Sequence, residues 1–284
     1  MTKLAKAFKG KKFSDNIILL LVYGSAALSV IVLVFLICYI MFNGLPHLKL
    51  SFFSLTYNSV NVSVFPSIIN TLIMITISLL LAVPLGVFSA IYLVEYAKKT
   101  NKLVGIVRVT AETLVGIPSI VYGLFGLLFF VTYLKWGVSL MAGSFTLAIM
   151  ILPLVIRSTE ESLKSVPDSY REGSFALGAS RLRTIYRIIL PSATYGILAG
   201  VILAVGRIVG ETAALIYTSG TVAQIPDNVF GSGRTMALHL YALSSEGLHT
   251  NEVFATAVVL LIVVVGINAM SSLTAKKLSK ESRR

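Results

Sequence analysis

The sequence predicts an all-α protein that crosses a membrane six times, and three observations support this prediction. Of its 284 residues, 56% are hydrophobic and 13% are charged, whereas soluble domains carry roughly 25% charged residues. Apolar runs of about 20 residues, the length that a spanning helix needs, recur along the chain. Lys and Arg residues are concentrated in alternate segments between those runs. A soluble globule could not bury this much apolar surface, so the composition excludes an ordinary soluble enzyme and a disordered protein.

Six apolar runs define the predicted membrane helices. In chain order they cover residues 17–42, 67–94, 114–133, 138–156, 193–218 and 253–273. Only the run 193–218 contains charged residues, Arg207 and Glu211. None of the runs shows the roughly ten-residue alternation that is typical of membrane barrel strands. Pro118 predicts a break in the third helix, and the single Cys38 excludes an internal disulfide.

The distribution of positive charge predicts the orientation of the chain. Four segments carry four to six Lys and Arg residues each: 1–16, 95–113, 157–192 and 274–284. The segments between them carry one each: 43–66, 134–137 and 219–252. Because Lys and Arg gather on the cytoplasmic side of membrane proteins, both termini should be cytoplasmic. The net charge of +12 then reflects this bias, and we expect contact with membrane lipid and not with nucleic acid.

The cytoplasmic segment 157–192 has the pattern of two short helices joined by a glycine turn. Pro167 suits the first turn of a helix, where its missing N–H costs nothing, and Asp168 favours the positive end of the helix dipole. Gly178 can end the first helix in the left-handed conformation. A second, basic helix should then stop at Pro191. On these residues alone, the hairpin could rest on anionic lipid or dock on a protein.

The same segment resembles the EAA loop of ABC-importer permeases, whose pattern is E-A-A, three residues, Gly, nine residues and I-x-L-P. Here the pattern reads E-G-S from residue 172, then Gly178, then I-I-L-P at residues 188–191. Two small residues replace the alanines, and the spacing is matched completely. In that family the loop docks into a groove on a separate ATPase subunit. The resemblance therefore implies that residues 164–191 couple to an ATPase through Pro167, Asp168, Arg171, Glu172, Gly173, Ser174, Gly178, Leu190 and Pro191.

The fifth predicted helix carries the two charges of the membrane-spanning runs. Arg207 and Glu211 lie four residues apart, so a continuous helix would place them on one face near mid-membrane. A charge at that depth costs at least ~2.5–3.5 kcal/mol on insertion scales and needs a partner. Two interpretations stay open: an internal ion pair that fixes packing, or a path in which the arginine fork binds an oxyanion. Glu211 would accept a hydrogen bond from hydrogen phosphate and repel fully deprotonated sulfate.

Around these charges the sequence is similar to phosphate ABC-transporter permeases of the PstA type. Residues 206–215 read G-R-I-V-G-E-T-A-A-L, which matches the G-R-x-x-G-E-T-A stretch of that family. Further similar stretches are residues 116–126, 152–153, 157–161 and 165–172. The resemblance extends from about residue 67 to residue 273 and implies the type I, MetI-like permease architecture. It also implies that Arg207, Glu211 and Thr212 line the path of the substrate.

The resemblance implies a multi-subunit importer in the plasma membrane of a bacterium or an archaeon. This chain would form half of the translocation path for phosphate, and a PstC-type permease would form the other half. Two copies of an ATP-binding subunit and an extracytoplasmic phosphate-binding protein would complete the complex. Because the sequence contains no G-x-x-x-x-G-K-[ST] loop, ATP hydrolysis should occur on the partner, and no catalytic residue, cofactor or metal site is expected here.

Three regions follow from the topology and the resemblance. Residues 1–66 would hold the N-terminal cytoplasmic segment, the first membrane helix and an outer loop, residues 67–273 the permease domain, and residues 274–284 a basic cytoplasmic tail. Two other functions stay open. One is an ABC permease for molybdate or sulfate, although these ions lack a proton for Glu211 to accept. The other is a self-contained secondary transporter, although the inverted repeats typical of that class are not visible.

Several polar residues outside these patterns also carry expectations. Arg108 and Glu112 lie four residues apart and should form an ion pair on one helix face. Arg234 is the lone cation of the outer segment 219–252 and could meet the binding protein or guide phosphate inward. The three histidines fall in outer segments and should be solvated: His47, His239 and His249.

Overall fold

The computed structural model describes residues 2–97 and 102–281, and every regular element in these ranges is helical. In chain order the helices are α1 (Thr2–Gly44), α2 (Phe65–Ile91), α3 (Lys102–Val115), α4 (Ser119–Gly126), α5 (Leu140–Lys164), α6 (Asp168–Ala176), α7 (Arg181–Thr184), α8 (Leu190–Val209), α9 (Ala213–Thr218), α10 (Met236–Glu246) and α11 (Thr250–Glu281). Turns of π-helix continue α2, α4 and α7 over Tyr92–Tyr96, Leu127–Tyr133 and Ile185–Ile189. The predicted all-α class is confirmed. Four of the cations in the predicted basic segments lie outside the described residues: Lys98, Lys99, Arg283 and Arg284.

The described helices provide five or six membrane crossings. Five are long and apolar enough to span: Ile17–His47, Phe65–Tyr96, Leu140–Lys164, Arg181–Val209 and Thr250–Met270. The pair Val104–Val115 and Ser119–Tyr133 passes the same test together, but its two helices are bent by 101°. The predicted number of six is therefore reached when this bent pair counts as one crossing.

The bend in the third crossing follows from Pro118. Proline has no backbone N–H and disfavours the α conformation of the residue before it. As predicted, the helix breaks here, so that α3 ends at Val115 and α4 begins at Ser119. The Tyr122 hydroxyl donates to the Leu114 carbonyl at 2.8 Å, which satisfies one of the backbone acceptors that the break frees.

The second helix of the cytoplasmic hairpin does not stop at Pro191, contrary to the sequence prediction. Instead, the chain continues from Arg181 to Val209 as one span. A π-helical turn over Ile185–Ile189 comes directly before α8, whose first turn contains Pro191. Local π turns of this kind re-satisfy the backbone groups that a proline frees. The hairpin of residues 157–192 is therefore continuous with a membrane helix.

Helix α5 is the centre of the bundle. It packs against α2 and α8, and the core around it contains fully buried side chains from all three helices: Met74, Leu147, Met150, Ile151 and Ile208. Gly196 and Gly200 of α8 face Ser162 and Ser158 of α5, and a Cβ at either glycine would clash with the serine hydroxyl. This small-residue spacing lets the two helices approach closely.

Helix α1 lies at the periphery of the molecule. It packs mainly along α11, and its large apolar side chains from Ile17 to Phe42 are exposed. An apolar helix surface of this length suits contact with lipid or with another membrane subunit.

Candidate functional site

A break in the membrane helix separates the two charged residues that the sequence places together. Helix α8 ends at Val209 and α9 begins at Ala213, so Arg207 lies in the last turn of α8 and Glu211 lies in the break. Within the described ranges, no ion pair joins Arg207 to Glu211. The expected common helix face is therefore wrong, and of the two interpretations left open by the sequence, the internal ion pair is not observed. The reason is that the chain starts a new helix here, whose first turn engages the Glu211 carboxylate.

Glu211 stabilises the start of α9. Its Oε1 accepts a hydrogen bond from the Ala214 backbone N–H at 3.1 Å, and the side chain is buried. A carboxylate at a helix N-terminus satisfies a free N–H and interacts favourably with the helix dipole. Thr212, also predicted to lie on the substrate path, is half-buried beside it, and its carbonyl accepts the N–H groups of Leu215 and Ile216. The buried acid is thus stabilised without an arginine.

Arg207 lines a cavity of about 550 Å³. Its other lining residues are uncharged and come from α5, α8 and α11: Leu154, Ala199, Ile202, Leu203, Gly206 and Asn268. The positive charge of Arg207 also interacts electrostatically with the Tyr122 hydroxyl on α4. No carboxylate pairs with Arg207 in the part of the chain that the structure describes. A permanent cation beside an open cavity can bind an oxyanion through its planar fork.

The helix that follows the first break packs against the helix that follows the second. A Cβ at Gly123 of α4 would lie 2.8 Å from Cα of Ala214 in α9, so glycine is required for this approach. Irregular backbone at membrane depth is tolerated only inside protein or along a water-filled cavity. The two breaks therefore mark the region around α4, α9 and Arg207 as the candidate path through the membrane.

The segment 157–192 has the predicted helix, glycine turn and helix. Pro167 immediately precedes α6, Asp168 lies in its first turn, and Gly178 has a φ of +77°. The Ala179 N–H donates to the Ser174 carbonyl at 3.1 Å, which closes the helix end as such left-handed caps do. Ser174 is buried, and its hydroxyl lies 2.8 Å from the Thr184 hydroxyl on the opposite helix. The small residue at this EAA position thus holds the two helices together.

The hairpin also exposes an apolar surface. Leu177 is 90% exposed, and Tyr170, Phe175, Leu182 and Tyr186 are each about half exposed. Tyr170 and Leu177 also line a cavity of about 380 Å³, together with Gly173, Ser174, Arg183, Arg187 and Ile188. Exposed apolar side chains grouped on one short segment are typical of a site of protein interaction.

Arg171, predicted to belong to the ATPase-coupling set, forms a clasp inside the molecule. Its guanidinium binds the Glu95 carboxylate, with Nη2 at 2.8 Å and Nε at 3.1 Å from Oε1. It also donates to the carbonyls of Val166 and Leu163 at 2.9 and 3.0 Å and to the Asp168 carboxylate at 3.1 Å. The sequence did not single out Glu95, because 76 residues separate it from Arg171 and no local pattern joins them.

A second ionic cluster connects α3 to α5. Arg108 pairs with Glu160 at 2.6 Å, and Lys164 pairs with the same carboxylate at 2.6 Å. Glu112 lies 4.0 Å from Arg157 instead. The predicted pair of Arg108 with Glu112 is therefore wrong, since the packing of α3 on α5 offers Arg108 a more buried acid.

One further prediction, for a histidine in the segment 219–252, is wrong. His239, predicted to be solvated, lies in α10 and is completely buried, because its ring packs edge-on against Tyr57 at 6.0 Å between centroids. His47 and His249 are half-buried. Within residues 2–97 and 102–281, no group of three His, Cys, Asp or Glu side chains is placed to hold a metal ion.

Comparison with known proteins agrees with this arrangement. Residues 82–281 match the family described as "Binding-protein-dependent transport system inner membrane component". The chain is 34% identical to the "Probable ABC transporter permease protein YqgI" of Bacillus subtilis, over 78% of this chain and 81% of that protein. It is 36% identical to the "Phosphate transport system permease protein PstA 1" of Mycobacterium tuberculosis, over 74% of this chain and 69% of that protein.

The solved structure of the MetNI methionine ABC transporter, in an inward-facing conformation, has a similar fold. The TM-score is 0.61 at 19% sequence identity, and the match covers 76% of this chain and 94% of the other. The bent third crossing, the α8 to α9 break and the cytoplasmic hairpin thus belong to an ABC-importer permease fold of the MetI-like type. The chain belongs to the family of binding-protein-dependent transport system inner membrane components, and it is a transport subunit and not an enzyme.

Proposed function

We propose that this chain is a permease subunit of an ATP-driven phosphate importer. The observation that carries the proposal is Arg207, a cation with no carboxylate partner among the described residues, which lines a large cavity beside a helix break. It lies within the stretch that resembles phosphate permeases, and one similar protein is named a phosphate transport permease. An oxyanion is the ligand class that such an arginine recognises.

Glu211 and Thr212 would complete the path. One oxygen of the Glu211 carboxylate accepts the Ala214 N–H, which holds the group in place at the break. The other oxygen would accept a hydrogen bond from the hydroxyl of hydrogen phosphate and would repel sulfate, which has no proton to donate at neutral pH. Selectivity would thus come from an unpaired acceptor when the wrong ion enters. This chemistry also disfavours molybdate as the substrate.

The partners follow from the class of transporter. A second permease of the PstC type would complete the path, and an extracytoplasmic phosphate-binding protein would deliver the ion. The complex would hold two copies of an ATP-binding subunit, and one of them would dock at the apolar surface of this hairpin, within the coupling loop 157–192. An exposed docking surface of this kind has no use in a self-contained secondary transporter.

The distribution of Lys and Arg supports the membrane topology that we propose for the chain. Residues 67–273 would form the permease domain in the plasma membrane, with both termini and the tail 274–284 in the cytoplasm. Residues 1–66 would add the peripheral helix and an outer loop. Lys and Arg residues on the cytoplasmic side would meet anionic lipid headgroups there.

The test is uptake of labelled phosphate by the complete complex in proteoliposomes. Wild-type complex should import phosphate only with ATP and the binding protein, and Arg207→Gln should lower the rate about tenfold or more, because a charge-assisted contact is lost. Lys49→Gln removes an exposed outer cation and should leave uptake unchanged. Glu211→Gln keeps the oxygen that caps α9 and should reduce the preference for phosphate over sulfate. Absence of phosphate uptake by a complex that hydrolyses ATP would contradict the proposal.

A further inference from the structure

On the outer side of the molecule, two polar side chains are buried without hydrogen-bond partners for their nitrogen atoms. Arg234 is 4% exposed, and its Nε and Nη2 have no acceptor. His239 is 0% exposed, and neither ring nitrogen reaches a partner at hydrogen-bond geometry. No acid pairs with Arg234 in residues 2–97 and 102–281. A buried cation without a counter-ion is strongly destabilising, so this position calls for an anion.

The backbone holds Arg234 firmly in this buried position. Its N–H donates to the Val222 carbonyl at 2.9 Å, and its own carbonyl accepts from Nδ2 of Asn70 at 3.3 Å. The next residue, Thr235, caps α10 by accepting the Leu238 N–H. Helix α2 and the start of α10 therefore fix the arginine from both sides, and its burial is a property of the fold.

The free polar atoms around Arg234 include both donors and acceptors. The Tyr57 ring covers the face of the guanidinium, with Cζ 4.8 Å from the ring centroid. This leaves the edge with Nε and Nη2, the side on which arginine binds an oxyanion with two parallel hydrogen bonds. Asn70 of α2, whose Nδ2 donates to the Arg234 carbonyl, also has a buried Oδ1 without a partner.

His239 adds one acceptor to this set, because its other ring nitrogen faces the Val62 backbone. Burial, reinforced by the Arg234 charge and opposed by the Val62 backbone, lowers the pKa of His239 from 6.5 to about 3. The imidazole is therefore neutral at physiological pH, with one protonated and one free nitrogen. A fully deprotonated anion needs donors only. The additional acceptors, one imidazole nitrogen and Oδ1 of Asn70, suit an anion that carries a proton.

We propose that Arg234, His239 and Asn70 form an outer binding site for hydrogen phosphate, separate from Arg207. The arginine fork would bind two phosphate oxygens, and Asn70 or His239 would accept a hydrogen bond from the phosphate hydroxyl. The proposal rests on the proposed function, since it takes phosphate as the transported ion. The site would hold the ion at the outer end of the path before it reaches Arg207.

Tyr57 would close this outer site. It is half-buried, and it touches both Arg234 and His239, so phosphate enters when the ring moves aside. The segment that carries it ends at Val62, whose φ of +43° is strained for a β-branched residue. Strain of this kind is found where the surrounding structure holds a segment against its local preference.

Equilibrium binding of radiolabelled inorganic phosphate tests the site. The purified complex is placed in phosphatidylcholine nanodiscs without nucleotide or binding protein, in the Arg207→Gln background, so that binding at Arg207 does not contribute. Phosphate should still bind, and Arg234→Gln should weaken that binding about tenfold or more. Arg234→Lys keeps the charge but loses the fork and should also weaken it. The control Lys49→Gln should have no effect, and sulfate should not compete.

Cryo-electron microscopy of the same complex in phosphate gives a readout that does not depend on variants. Density for a tetrahedral ion between Arg234 and His239 is expected. Ordered water alone at that position, or unchanged phosphate binding in Arg234→Gln, Arg234→Lys and His239→Gln, would overturn the outer site. Wild-type uptake with unchanged binding in these variants would leave the proposed function standing. Absence of wild-type uptake would instead refute that function, while binding and density would still decide the outer site.

Discussion

At the scale of single residues, a backbone break makes Glu211 a helix cap instead of a partner for Arg207. A spacing of four residues favours an ion pair with Arg207 on a continuous helix. The structure ends that helix at Val209 and gives the carboxylate to the Ala214 N–H. The arginine is left without an acid of its own among the described residues. An internal pair would have neutralised the arginine charge. Without that pair, the charge is available to a substrate anion.

The lowered pKa of His239 predicts that the folded protein becomes less stable as the pH falls. Its pKa is lowered to about 3 by burial and by Arg234, whereas an unfolded histidine titrates near 6.5. Between these two pH values the unfolded chain binds one more proton, so the free energy of unfolding falls as the pH falls. The contribution of the neutral ring is complete above about pH 6.5, and roughly 2 kcal/mol of it should be lost by about pH 5.

Thermal unfolding of the purified chain at neutral pH and at about pH 5 measures this effect. His239→Gln should lose less of its unfolding temperature on acidification than the wild type does. His249→Gln, at a half-buried outer position, should behave like the wild type. An equal acid-induced loss in wild type and His239→Gln would contradict the assignment.

At the scale of helices, the end of α2 is tied to both helices of the cytoplasmic hairpin. Glu95, in the π-helical turn after α2, binds Arg171 of α6 at 2.8 Å. The next residue, Tyr96, lies under the Arg181 guanidinium of α7, 5.4 Å from the ring centroid. Movement of the hairpin would therefore move α2. Arg171 would act as a positioning residue between the ATPase and the membrane helices.

Breaking this clasp should uncouple ATP hydrolysis from transport. The acid and the base are both largely buried, and removal of one partner from such a pair is strongly destabilising locally. Glu95→Gln should lower phosphate uptake several-fold more than it lowers ATPase activity, and the exchange of both residues, Glu95→Arg with Arg171→Glu, should restore part of the coupling. Arg157→Gln breaks two exposed pairs, with Glu161 and Glu112, which are worth little, and it should leave the ratio of uptake to ATPase activity unchanged. An unchanged ratio in Glu95→Gln would contradict a role in coupling.

At the scale of the whole molecule, the chain exposes surfaces that a subunit of a larger complex would cover. The apolar side chains of α1 are exposed, and so is the apolar surface of the hairpin around Leu177. The cavity beside Arg207 is lined by residues of α5, α8 and α11. These three surfaces fit lipid, an ATPase and a second permease, in that order.

Leu177→Asp should weaken the association with the ATPase subunit. The side chain is 90% exposed at the glycine turn, so the substitution should leave the fold intact while it places a charge on an apolar docking surface. Co-purification of the ATPase with the chain measures the effect, and about a tenfold loss is expected for a central apolar contact. Leu177→Met should co-purify like the wild type. Full association of the aspartate variant would show that the docking surface lies elsewhere.

The sequence by itself determined the features that depend on composition and short spacing. Apolar runs and the charge bias predicted the membrane helices, and Pro118 predicted the break in the third crossing. Pro167 and Gly178 predicted the cytoplasmic hairpin, since each acts on its own backbone. The G-R-x-x-G-E-T-A stretch indicated the family, because that pattern is local.

Only the tertiary structure decided the features that depend on distant residues. The clasp of Arg171 with Glu95 and the packing of His239 against Tyr57 each join segments far apart in the chain. The break after Val209 places α9 against α4. The four-residue spacing of Arg207 and Glu211 suits a continuous helix, whereas in the structure a new helix begins at Ala213 and packs against α4. Charges choose partners by distance and burial, and both are set by how the helices pack around α5.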